Sequence, residues 1–148
     1  MAKSSPTKKS TAPKPIKYAD KSAGQDEMIK IFNDLHQMLT PYESGSVKKM
    51  GGEGGQVSLI SHKEVEIAGR KKSELWFAGL LIQKGYVGFY FMPVYVEPEK
   101  KRLLGAELLK TLKGKSCFHI KSADPVIYSQ IEQALRLGYE EWRKNGWV

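Results

Sequence analysis

Cysteine is nearly missing from this chain: Cys117 is the only one in 148 residues, so no intramolecular disulfide can form and no second thiol exists for a cysteine-based metal site. A reduced, intracellular setting suits such a chain. No apolar run approaches the roughly 18 residues that a membrane span needs. The opening MAKSSPTKKSTAPKPIK has no apolar signal core, and its lack of arginine and three prolines (Pro6, Pro13, Pro15) argue against a transit peptide. The expected location is the cytoplasm, with no membrane partner.

Acidic residues are scarce at one end only. Residues 1 to 22 hold six lysines against Asp20, a balance of +5, whereas residues 23 to 148 carry the remaining +3 of the net +8. A Lys/Ser/Thr/Pro/Ala stretch with few large apolar side chains cannot bury enough surface to offset its ordering entropy, so residues 1 to 22 are expected to form a disordered basic tail. Weak, salt-dependent contact with nucleic acid through that tail is one expectation. A solubilising extension with no partner is the other. Residues 23 to 148 form one domain, since the length suits a single core.

Catalytic spacing is also lacking. Gly114-Lys115-Ser116 is the end of a phosphate-loop pattern, but Leu109 stands where its first glycine belongs, and a strand is expected afterwards. The glycines between Gly51 and Gly55 precede a strand, not the helix terminus that would give them an anion to hold. Cys117 and His119 project from one side of a strand in parallel, which suits neither a nucleophile-base pair nor, with only His36 and His62 as further imidazoles, a closed metal shell. Glu64 with Glu66, and Glu140 with Glu141, read as solvated surface. The expectation is a non-enzymatic chain with no catalytic residue, no metal and no cofactor.

What is present is a pattern of elements. From Gln25 to Leu39 the residues Met28, Ile31, Phe32, Leu35, Met38 and Leu39 make a helical stripe, with a Ser22–Gln25 capping box before it and Pro41 ending it. A glycine-rich loop without pattern follows as far as Gln56. Strands are expected at Val57 to Ile60, Val65 to Ala68, Glu74 to Gln83 and Tyr86 to Met92, the last two joined through Lys84-Gly85 and ended by Pro93. A helical segment from about Glu99 to Leu112, weakened or broken at Gly105 and capped by Gly114, precedes a strand from Ser116 to Ile120. The last helix has Asp124 as N-cap, Pro125 at its first position, and a stripe of Ile127, Ile131, Leu135, Gly138 and Trp142, with Gly146 ending it. The order α-β-β-β-β-α-β-α implies a two-layer α+β fold, a mainly antiparallel sheet of four to five strands with helices on one face.

A sheet covered on one face leaves the other for water or a partner. Along Tyr86 to Met92, tyrosines alternate with Phe89 and Phe91; a phenol needs a partner or water, so Tyr86 and Tyr90 belong on the open face. In the last strand Phe118 and Ile120 suit the core, and Lys115, Cys117 and His119 fall opposite. Strict alternation puts Trp76, Ala78, Leu80 and Ile82 on one side of the hairpin and Leu75, Phe77, Gly79 and Leu81 on the other. The candidate binding surface is Trp76, Tyr86, Tyr90, Lys115 and His119. Its occupant is expected to be a small planar or anionic ligand, or a protein chain, including a second copy in a homodimer. The competing expectation is that a loop or the first helix covers it.

The segments GYVGFYFMPVYVEP, LKGKSCFHIKSADP and the ending GYEEWRKNGWV resemble the YdhG-like family, mostly bacterial domains of unknown function. The likeness covers roughly residues 25 to 148 and is strongest after Lys84. It implies a small intracellular α+β domain and assigns no reaction. Frataxin-like iron handling, suggested within the wider group, implies an acidic ridge; the matching helix here offers Asp26, Glu27 and Asp34, interrupted by Lys30.

Overall fold

The computed structural model describes residues 19–148, so most of the expected basic tail, residues 1 to 18, lies outside the described residues. The chain meets the fold before the expected boundary: Lys21 Nζ donates to Gln83 Oε1 at 2.6 Å, and Ser22 donates to Asp20 Oδ1 through both its amide and its hydroxyl. Helix α1, Asp26–Leu39, buries Met28, Ile31, Phe32, Leu35 and Leu39, the stripe that its apolar spacing implies. Each such side chain contributes on the order of 2 kcal/mol when fully removed from water.

Six strands form the main sheet, more than the four to five expected. They are β1 Val47–Gly51, β2 Gln56–Ser61, β5 Leu75–Gln83, β6 Tyr86–Phe91, β7 Leu112–Lys113 and β8 Cys117–Ile120, antiparallel in the order β1-β2-β5-β6-β8-β7. A separate two-stranded ribbon, β3 Val65–Ile67 with β4 Arg70–Lys72, bridges β2 and β5. Both unexpected strands of the main sheet are its edges. β1 arises where a patternless loop was expected, and β7 where a helix was. An edge strand pairs on one side only and is commonly protected by lysine, so VKKMG and LK carry no apolar alternation to betray them.

The expected capping box at Ser22 and Gln25 does not form. Gln25 is the N-cap without a side-chain cap bond, because its amide reaches across to the β5–β6 turn. Its Nε2 donates to the carbonyls of Lys21 and Gln83, and its Oε1 accepts the Gly85 amide at 2.8 Å. One side chain thus satisfies both sides of the tight turn, where Gly85 takes a φ of +82°.

The expected helix from Glu99 to Leu112 is also broken up. After the short helix α2, Pro93–Val96, comes a 3-10 turn at Pro98–Leu103, then the short helix α3, Ala106–Leu109. A Cβ on Gly105 would collide with the Gln130 side chain, whose Oε1 accepts the Leu108 amide. Gly114 turns the chain from β7 into β8 at φ +72°, rather than capping a helix.

Helix α4, Pro125–Lys144, follows its sequence closely: Asp124 Oδ1 accepts the Val126 amide at 2.8 Å, and Ile131, Ala134, Leu135, Gly138 and Trp142 are buried. The buried apolar residues of all four helices join one core with Phe77, Phe89, Phe91 and Phe118 of the sheet. The helices therefore cover one face of the sheet. No described helix is long and apolar enough to cross a membrane.

At Gly138 the helix touches the sheet with no room for a side chain, since a Cβ would meet Phe91 Cζ at 2.7 Å and Pro93 Cγ at 3.1 Å. Gly138→Ala is expected to destabilise the fold by about 1–2 kcal/mol, overpacking outweighing the better helix propensity. Urea unfolding checks this through a lowered midpoint at unchanged slope.

Candidate functional site

The helix-free face is set out by strand register. One row across the sheet runs Met50, Ser58, Gly79, Tyr90, Cys117 and Lys113; the next runs Leu81, Gly88 and His119; Gln83 and Tyr86 follow. Lys48 lies beside Ile60, which lies beside Trp76. Leu81 is 3% exposed yet stands outside the helix-covered core, buried on this side of the sheet.

Strict alternation fails in β5. The register jumps from Leu59 opposite Ala78 to Ile60 opposite Trp76, leaving Phe77 as an extra residue, a β-bulge. Phe77 turns into the core against Trp142 and Phe91, and Leu75 stays on that side with it. Trp76 is thereby placed opposite Ala78, Leu80 and Ile82, not beside them as alternation implies. The expected grouping of β5 is corrected, and the correction brings Trp76 to Tyr90.

Two aromatic groups result. The Trp76 and Tyr90 rings are 5.4 Å apart at 33°; the Tyr86 and His119 rings stack at 3.8 Å and 12°. Glycines form the floor under the first group. A Cβ on Gly79 would come within 2.9 Å of the Trp76 ring, and one on Gly88 within 3.3 Å of the Tyr90 ring. The Trp76 Nε1–H donates to the Ala78 carbonyl at 3.0 Å, tying the indole down against the backbone. The rings lie over the sheet instead of standing off it.

Of the five expected site residues, four share this face. Lys115 does not. It sits exposed in the β7–β8 turn with Nζ 5.9 Å from the centre of the Tyr95 ring, because the strand begins at Cys117 and the register ends before it. The cations near His119 are Lys113 and Lys121: burial first, then those two charges, lower the imidazole's pKa from its ordinary value. His119 is therefore neutral at pH 7. Lys113, Lys48, Gly79 and Gly88 were not singled out from sequence. The string Lys113-Gly114-Lys115 is a possible turn signal, like Lys84-Gly85, and reading it as a hairpin finds Lys113.

Cys117 and His119 turn to different partners. Burial pushes the thiol up, opposed by a smaller effect of the Tyr90 hydroxyl bonded to it, while His119 stacks on Tyr86. Asp34, on the helix that an acidic ridge would use, is engaged by Lys30 Nζ at 2.7 Å and the Tyr128 hydroxyl at 2.8 Å. Among the described residues no group of three or more His, Cys, Asp or Glu could hold a metal ion.

A pocket of about 120 Å³ lies between α4 and the 3-10 turn, beside the Lys100–Glu141 ion pair of 2.9 Å. It is well under the roughly 300 Å³ of a small ligand site. No protein-family model, curated protein or solved structure matches this chain.

With its pKa raised, Cys117 is expected to be alkylated by iodoacetamide more slowly than a free cysteine at pH 7.5, and Tyr90→Phe to slow it further. Mass spectrometry of the modified fraction against pH measures both.

Proposed function

We propose that this chain is a non-enzymatic, intracellular binding module of YdhG-like type whose helix-free sheet face takes a planar, negatively charged ligand. The observation that carries this is the pair of rings, Trp76 and Tyr90, laid close over Gly79 and Gly88 with lysines at the rim. A flat ring offers its area to another flat ring by stacking at little entropic cost. Lysine ammonium groups supply the attraction for an anion. The segments that resemble the YdhG-like family support the reading, since they supply β6, β7 and β8 and so much of this face. The free, half-buried Cys117 suits a reducing, cytoplasmic setting.

A nucleoside monophosphate or an aromatic carboxylate is expected to quench tryptophan emission in the native protein and not in Trp76→Ala. A saturated ring carboxylate of the same charge is expected to have no effect. Equal responses to the planar and saturated anions would remove stacking from the proposal. A concentration-dependent dimer that Trp76→Ala dissociates would assign the face to a second copy of the chain.

A further inference from the structure

We propose that the occupant of the sheet face is single-stranded nucleic acid, with bases stacked on Trp76 and Tyr90 and against the Tyr86–His119 pair, and phosphates met by Lys48, Lys113 and Lys121. This rests on the planar-anion reading above and deepens it. Three features favour a strand over a small molecule. The first is span. Lys48 on β1 and Lys113 on β7 stand on the two edge strands of the sheet, five strand spacings or about 24 Å apart, too far for one small anion and within reach of successive phosphates of a strand.

The second is charge. The open-face positions of the six strands, from Lys48 and Met50 through Ser58, Ile60, Trp76 and Gln83 to Tyr90 and His119, include no Asp or Glu, while lysines stand at both margins. A polyanion crossing the paired strands meets no carboxylate there; Glu74, just before β5, lies 3.6 Å from His62 Nδ1. The third is the aromatic rings themselves, two pairs on one face. Bases in a duplex have their faces covered by neighbours, whereas unpaired bases present them, and sheet-borne aromatic rings with a cationic rim accept any base. His119, neutral at pH 7, serves here as a ring and not as a charge.

The full-length protein is titrated into labelled oligouridine, oligothymidine and a duplex of equal length, with fluorescence anisotropy as readout and a nucleoside monophosphate as the single-unit probe. Both single strands are expected to bind more tightly than the duplex and than the monophosphate. Trp76→Ala is expected to weaken single-strand binding roughly 5- to 150-fold, the range for losing one base–ring stack, and Trp76→Phe to retain most of it. Neutralising Lys3, Lys8, Lys9, Lys14 and Lys17 to serine in the full chain removes non-specific attraction by the tail. In that background three phosphate contacts predict a slope near −2 in log K against log salt, and Lys113→Ser with Lys121→Ser lowers its magnitude by about 1.4.

The exposed lysine variants keep the test decisive should Trp76→Ala unfold. Duplex affinity equal to single-strand affinity, or binding lost entirely with the tail lysines, overturns the proposal. So does oligonucleotide binding no tighter than that of the monophosphate, which leaves the planar-anion reading standing. Failure of the monophosphate to quench Trp76 as well overturns that reading too.

Discussion

The extra residue at Phe77 is the constraint on which the two faces of this protein depend. A strand that pleats regularly must send Trp76 to the side of Ala78 and Leu80, into the helices. Inserting one residue lets Leu75, Phe77 and Ala78 all serve the core while Trp76 leaves it. The gain on the inner side is large: Phe77 is fully buried and meets Tyr42, Phe91, Tyr139 and Trp142 edge-on or tilted. The cost is a broken ladder at one step, which a bulge confines to its own neighbourhood. The same irregularity both completes the core and furnishes the open face.

Glycine has a related use on the two sides of the sheet. At Gly138 the missing side chain lets a helix approach Phe91; at Gly79 and Gly88 it lets aromatic rings settle on the strands. In each case an ordinary residue would hold two surfaces apart by the thickness of a methyl group. Close approach on the covered face adds packing to the core, and on the uncovered face it turns tyrosine and tryptophan into a low platform. Leu81 is buried on that face, outside the helix-covered core.

Long polar side chains finish what the backbone leaves open. Gln25 satisfies the β5–β6 turn from the start of α1, and Gln130 satisfies the Leu108 amide from the middle of α4. Ser61, wholly buried, donates to the Trp147 carbonyl at 2.6 Å and fastens the segment after α4 to β2. Each bond links elements distant in sequence, which is why local patterns such as the capping box at Ser22 mislead. A side chain that can cap its own helix serves another element instead when that element's backbone groups have no other partner in the chain.

Much of the architecture was legible in the residues themselves. The stripes of α1 and α4, the Asp124 cap, the β5–β6 hairpin and the separation of Tyr86 and Tyr90 from Phe89 and Phe91 follow from periodicities of 3.6 and 2, which act within a few residues of each position. The same reasoning puts Tyr86, Tyr90 and His119 on one face, opposite Phe89, Phe91 and Phe118. The tertiary structure alone decided the two edge strands, the division of the segment around Gly105 into a 3-10 turn and a short helix, the departure of Lys115 from the face, and the side on which Trp76 stands. Those depend on strand partners, on Gln130 and on the bulge opposite Leu59, contacts between residues far apart in the chain, and no local period carries that information.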